Sequence, residues 1–77
     1  MTISMSELAC GQVGRVLDLQ VQGVARERLV DLGLLPGARI ERVMASPAGD
    51  PICYRVRGAM IALRNSDTRH VRLAVGA

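Results

Sequence analysis

Lysine, phenylalanine and tryptophan are absent from this 77-residue chain; it has one tyrosine, one histidine and two cysteines. Each scarcity removes a class of function. Grooves that take proline-rich peptides are lined by several aromatics, and barrels that hold single-stranded nucleic acid stack bases on aromatic platforms. Tyr54 alone builds neither, and is expected in the core with its hydroxyl reaching a polar rim. Two cysteines, Cys10 and Cys53, are too few for a secreted disulfide framework and show no CxxC or Cys/His spacing, so both are expected to be reduced thiols. His70 has no spaced nucleophile among Cys10, Cys53, Ser4, Ser6, Ser46 and Ser66, and no catalytic residue is assigned. Asp50, Cys53 and His70 are the one conceivable ligand set, but they are scattered singly, without the spacing a metal needs, so no metal or other cofactor is assigned. Neither GxGxxG nor GxxxxGK[ST] occurs, which leaves no phosphate loop.

Long apolar runs are missing too. No stretch approaches the roughly 20 residues of a membrane span, and MTISMSELACG lacks a basic n-region and an apolar h-region. A cytoplasmic protein with no membrane insertion is expected. The net charge is +3 from ten arginines and seven acids, interleaved with no basic run. That is weaker than the clustered stripe of a nucleic-acid binder, so no direct nucleic-acid partner is expected.

What is present begins with RERLVDLGLLPG, residues 26–37. Ala25, Leu29 and Leu32 form one helical stripe, while Arg26, Glu27, Arg28 and Asp31 point away from it. Gly33 follows where a left-handed C′ residue is needed, and Leu34 at C″ can pack back on Leu29. Pro36 and Gly37 suit the two central positions of a type II turn. A helix of about ten residues is marginal alone, so its leucines must dock on strands. Gly23 can cap its start.

The other segments read as strands. GRVLDLQV opens the series after a loose Met1–Ser4 terminus and a turn of helix near Met5 with Ser6 as N-cap. In ARIERVMA, Ile40 points inward and Val43 falls out of phase, which a β-bulge near Arg42 would repair. SPAGDP is an exposed loop. ICYRVR places Ile52, Tyr54 and Val56 opposite Cys53, Arg55 and Arg57, and Gly58 turns the chain into AMIALR as an antiparallel hairpin. NSDTRH suits one turn of 3₁₀ helix, with His70 on the surface, and VRLAV closes. The expectation is an all-β protein, a small SH3-like antiparallel barrel of about five strands with one short inserted α-helix, forming a single domain over 1–77. Its open edge could pair with a second copy of the chain. Such a module offers a surface for contact instead of chemistry. Arg26, Arg28, Leu35, Arg55 and Arg57 are the candidate partner-binding residues, the arginines suiting an acidic partner.

Leu8 and Gly11, RERLVDLGLLPG, Ile40, GDPICYRVRG at 49–58 and AMIALRNSD leading to Val71 and Leu73 occur together and in that order. In this the chain resembles the FeoA family, ferrous iron transport protein A, over nearly its whole length; Thr68 stands where that family usually has Ala. The resemblance implies an SH3-like barrel, no enzyme, and a partner in the cytoplasmic portion of the FeoB-type membrane ferrous iron permease. The same barrel resembles the C-terminal domain of iron-dependent repressors, which keeps a regulatory interaction module as the alternative, with a weak nucleic-acid-binding barrel behind it.

A chain of this size has a small core and an expected stability of about 4 to 11 kcal/mol. Leu29→Ala and Leu32→Ala are each predicted to cost about 2 to 5 kcal/mol, measured as a drop in the urea midpoint. An unchanged midpoint for Leu29→Ala would mean that the helix is not docked.

Overall fold

Alternating apolar and polar residues between glycine- and proline-bearing turns give six strands, joined by one helix of real length. The structure, a computed structural model, describes residues 1–76. In chain order these are β1 (Thr2–Ser4), a 3₁₀ turn (Met5–Glu7), β2 (Val13–Leu19), α1 (Gly23–Asp31), β3 (Arg39–Ala45), β4 (Ile52–Val56), β5 (Ala59–Leu63), α2 (Asn65–Thr68) and β6 (Val71–Val75). The strands form one sheet in the order β1-β6-β2-β3-β4-β5, with every neighbouring pair antiparallel.

That sheet has no second sheet to pack on, so it must curl around its own side chains. Three local features allow this. The β2–β6 register shifts between Val16 and Asp18, and the β3–β4 register shifts between Arg42 and Met44. Each shift inserts an extra residue, Leu17 or Val43, which bends the strand and increases its twist. The second bulge is the one the phase break in ARIERVMA calls for. The first leaves Leu17 exposed while both Val16 and Leu19 face the core. The third feature is Gly14, where a Cβ would lie 3.1 Å from the Ala74 carbonyl oxygen and 3.1 Å from Val75 Cγ1. Glycine lets β2 and β6 approach this closely without displacing either neighbour.

The enclosed core runs from Met5 and Leu8 through Val16, Ile40, Tyr54 and Leu73. Helix α1 covers it with Leu29, which is 1% exposed, whereas Leu32 is only half-buried. Of the two leucine truncations, Leu29→Ala is therefore the costlier. The helix ends in a Schellman motif: the Leu34 N–H donates to Leu29 O at 3.1 Å, and the Gly33 N–H donates to Val30 O at 2.9 Å. Gly33 has φ +95°. Leu34, fully buried, is the C″ residue. The chain then turns through Pro36 and Gly37, closed by the Ala38 N–H donating to Leu35 O at 2.9 Å, with φ +90° at Gly37 as a type II turn requires. The β4–β5 hairpin turns through Arg57 and Gly58, at φ 51° and 87°, the two left-handed residues of a type I′ turn.

Four expectations are corrected. Residues 1–4 are not a loose terminus: Thr2–Ser4 pairs with Arg72–Ala74, which makes β1 the sixth strand. The cap of the following turn is Ser4, not Ser6; its hydroxyl accepts from the Ser6 N–H while its own N–H donates to Glu7 Oε1, a capping box whose acid lies three residues on. The N-cap of α1 is Gln22, without a side-chain bond, and Gly23 is the first helical residue. Residues 65–68 form a four-residue α-helix, not a 3₁₀ turn, with the Asn65 N–H held by Asp50 Oδ1 at 2.9 Å.

Because Gly33 is left-handed, Gly33→Ala places a Cβ in a conformation that L-residues disfavour by about 1 to 2 kcal/mol. The urea midpoint of this variant should fall accordingly, and a midpoint equal to the parent's would show that the helix stop does not need glycine.

Candidate functional site

The five candidate residues fall on three parts of the surface. Arg26 and Arg28 lie on the exposed side of α1. Arg28 is not free: its guanidinium pairs with Asp67 of α2, tying the two helices together. Leu35 begins the turn after α1 and is 39% exposed. Arg57 sits at the tip of the β4–β5 hairpin with its Cδ 3.4 Å from where a Gly33 Cβ would be, so its stem lies beside the last turn of α1. A cation there suits the negative end of the helix dipole. Leu35 and Arg57 thus flank one helix end, while Arg55 stands apart on the outer side of β4, Nε 3.6 Å from Glu41 Oε1.

The residues missed from sequence are those beside Arg55. Ladder partners place Arg15 of β2 directly opposite Arg39 of β3, and Glu41 directly opposite Arg55. Their neighbours in the strands, Gly14, Ile40 and Val56, are buried, so all four side chains stand on the outer face. Arg39 Nη1 lies 3.7 Å from the same Glu41 carboxylate, and Arg15 Nη1 donates to Gly37 O at 2.9 Å. The signal that could have found them is strand register, which the sequence leaves open across the 19 residues between β2 and β3.

Further along the same sheet, Arg72 grips Asp18 through two bonds, Nε to Oδ1 at 3.0 Å and Nη2 to Oδ2 at 2.8 Å. This hydrogen-bonded contact holds the Asp18 carboxyl below its ordinary value and raises Arg72. A shallow hollow at the β2–β6 boundary is lined by Val13, Gly14, Arg15, Ala74, Val75 and Gly76.

Asp50, Cys53 and His70 are not brought together. Asp50 caps α2, Cys53 lies on the outer side of β4 opposite Met44 and Ala62, and half-buried His70 accepts the Gln20 N–H through its backbone. Among the described residues no three His, Cys, Asp or Glu side chains converge to hold a metal. Cys10 Sγ donates to Val43 O at 3.3 Å, and both cysteines are free thiols. No described helix is long and apolar enough to cross a membrane.

Tyr54 is fully buried, its hydroxyl 3.4 Å from Met5 O. Thr68, also fully buried, lies beside it without a well-formed hydrogen bond for its own Oγ1. Burial pushes the phenol above its ordinary value, and the Thr68 hydroxyl offsets this in part.

A curled antiparallel sheet covered by one short helix places the chain in the class of SH3-like barrels. The chain belongs to the FeoA family: the FeoA domain model matches residues 3–75. A Porphyromonas gingivalis protein, the Fe(2+) transport protein A/Fe(2+) transporter FeoB fusion protein, is 29% identical over 69 residues, which is 90% of this chain and 8% of that one. The chain therefore corresponds to a small part of that relative. The solution structure of iron(II) transport protein A from Clostridium thermocellum superposes with a TM-score of 0.90 at 34% identity, over 95% of this chain and 45% of that chain. Stenotrophomonas maltophilia FeoA, an SH3 domain protein solved in complex with zinc, gives 0.82 at 26% identity, over 94% and 89% of the two chains.

The raised Tyr54 pKa fixes the sign of a pH dependence. The folded state holds the phenol proton more tightly, so the associated stability is fully present below the unfolded tyrosine value of about 10 and is lost as pH rises through the folded value. The urea midpoint should fall above about pH 10, and Tyr54→Phe should remove that part of the fall. As the sole tyrosine, Tyr54 should give a tyrosinate absorbance that titrates late. Titration at the free-tyrosine value would contradict its burial.

Proposed function

We propose that this chain is a non-enzymatic, cytoplasmic accessory protein of ferrous iron uptake that docks on the cytoplasmic portion of a FeoB-type permease and modulates its assembly or GTP-linked transport. The observation that carries this reading is the covalent fusion of an A part to the FeoB transporter in the P. gingivalis relative. Tethering two modules raises their effective concentration to the millimolar range for short linkers, which is of use to domains that work against each other. The family match and the SH3-like fold support the same reading. Leu35 and Arg57 at the end of α1, Arg26 and the Asp67-paired Arg28 along its exposed side, and Arg55 on β4 are the contacts we assign to the permease, with Arg28 required to exchange its Asp67 partner on docking.

The experiment is retention of the permease, both its cytoplasmic portion and the full-length form, on this protein immobilised at physiological salt. Retention of either form is expected, with Leu35→Ala and Arg57→Gln each weakening it by about two- to tenfold, the range of ordinary interface truncations. Failure to retain either form would contradict the reading.

A further inference from the structure

The arginines on the outer face of the sheet are arranged against the interest of the fold. Arg15 and Arg39 are direct cross-strand partners, about 5 Å apart at their Cα atoms. Like charges directly opposite one another destabilise a sheet. Their relief is limited to one acid: Glu41 serves both Arg39, at 3.7 Å, and Arg55, at 3.6 Å. Arg15 has no acidic partner among the described residues and leans on the Gly37 carbonyl oxygen. Three arginines against one glutamate leave this face +2, two-thirds of the net +3 of the whole chain.

We infer that the outer face of β2–β3–β4, centred on Arg15, Arg39 and Arg55, is a docking surface for an acidic segment of a protein partner. Charge complementarity selects carboxylates, and three details select a protein over a nucleic acid. The row that contains Arg55 continues into apolar side chains at both ends, with Val13 opposite Glu41 and Met60 opposite Arg55, and Met60 is 49% exposed. Arginine and methionine are enriched in protein interfaces, and lysine, which this chain lacks, is depleted. Glu41 in the middle of the row repels a phosphate backbone but can orient the flanking guanidinium groups toward separate carboxylates. Finally, the one aromatic that could stack a base, Tyr54, is fully buried. The proposal rests on the accessory-protein reading only for the identity of the partner; the face itself follows from register and charge.

The test uses the full chain and, as probe, a fluorescently labelled peptide of repeated Glu and Leu residues, with its Gln counterpart and a DNA duplex alongside. The Glu peptide should bind and the Gln peptide should not. Arg15→Gln combined with Arg39→Gln should bind the Glu peptide roughly three- to tenfold more weakly, as expected for two partly exposed charges. Arg69→Gln, outside the face, should bind as the parent does. The urea midpoint of the double variant should be unchanged or higher, since an opposed like-charge pair is gone; a role in folding alone would lower it. If loss of the Gly37 contact unfolds the double variant, Arg39→Gln alone carries the test. Equal binding by parent and variant would overturn the proposal, as would tighter binding of DNA than of peptide that is lost in the variant. With the permease cytoplasmic portion as ligand, retention by the parent undiminished in the variant overturns this face and leaves the accessory role. Peptide binding without permease retention does the reverse.

Discussion

Everything in this fold depends on one constraint: a single antiparallel sheet of short strands must close around its own side chains with no second sheet to pack against. One close approach that this demands is at Gly14, where a Cβ would come within 3.1 Å of the Ala74 carbonyl oxygen on β6. Opposite demands are met by the extra residues Leu17 and Val43, which bend β2 and β3. Curling then decides the fate of each side chain by parity. Ile52, Tyr54 and Val56 go in, and Cys53 and Arg55 go out, from one five-residue strand. The curled sheet still leaves part of its interior open, which is covered by Leu29 of α1 and by Leu34 just beyond the helix end. That helix is short, so its stop signal matters: Gly33 and Leu34 close the Schellman motif and send the chain into the Pro36-Gly37 turn that begins β3.

The same division sets what the molecule can do. Its interior is apolar around the Tyr54 phenol and the Thr68 hydroxyl, and its exterior carries arginines with too few acids to pair them all. Arg28 and Arg72 are committed to Asp67 and Asp18. Arg15, Arg39 and Arg55 share Glu41 or have no acid at all. The chain belongs to the FeoA family, and one relative carries its A part fused to the FeoB transporter; docking on such a partner is the use we propose for these surfaces.

Much of this was legible in the sequence, wherever it depended on local rules. The helix stop at Gly33, the hairpin turned at Gly58, the inward Tyr54 and the bulge near Arg42 all follow from residue type and phase over a few positions, whereas Arg57, expected in the strand, belongs to the turn. Strand β1 was not legible, because Thr2 and Ile3 are too short a pattern to stand above a free terminus; β6 supplies the pairing from 70 residues away. The cap is Ser4 and not Ser6, and the local signal for it is Glu7 three residues on, the acid of its capping box. Of the five candidate contact residues, Leu35 and Arg57 prove neighbours of one helix end. Arg15 and Arg39 were passed over because their juxtaposition exists only once β2 and β3 are in register, on either side of α1.

The central claim is that this fold turns a closed apolar inside into a charged, partner-facing outside. Its most direct test is to titrate the isotope-labelled chain with the permease cytoplasmic portion and follow backbone amide and arginine side-chain resonances. The account predicts shifts at Arg15, Arg39, Arg55 and Met60 and around Leu35 and Arg57, with core resonances such as those of Val16 and Leu73 unmoved. Shifts confined to the core or to the opposite surface, or none at saturating permease, would contradict it.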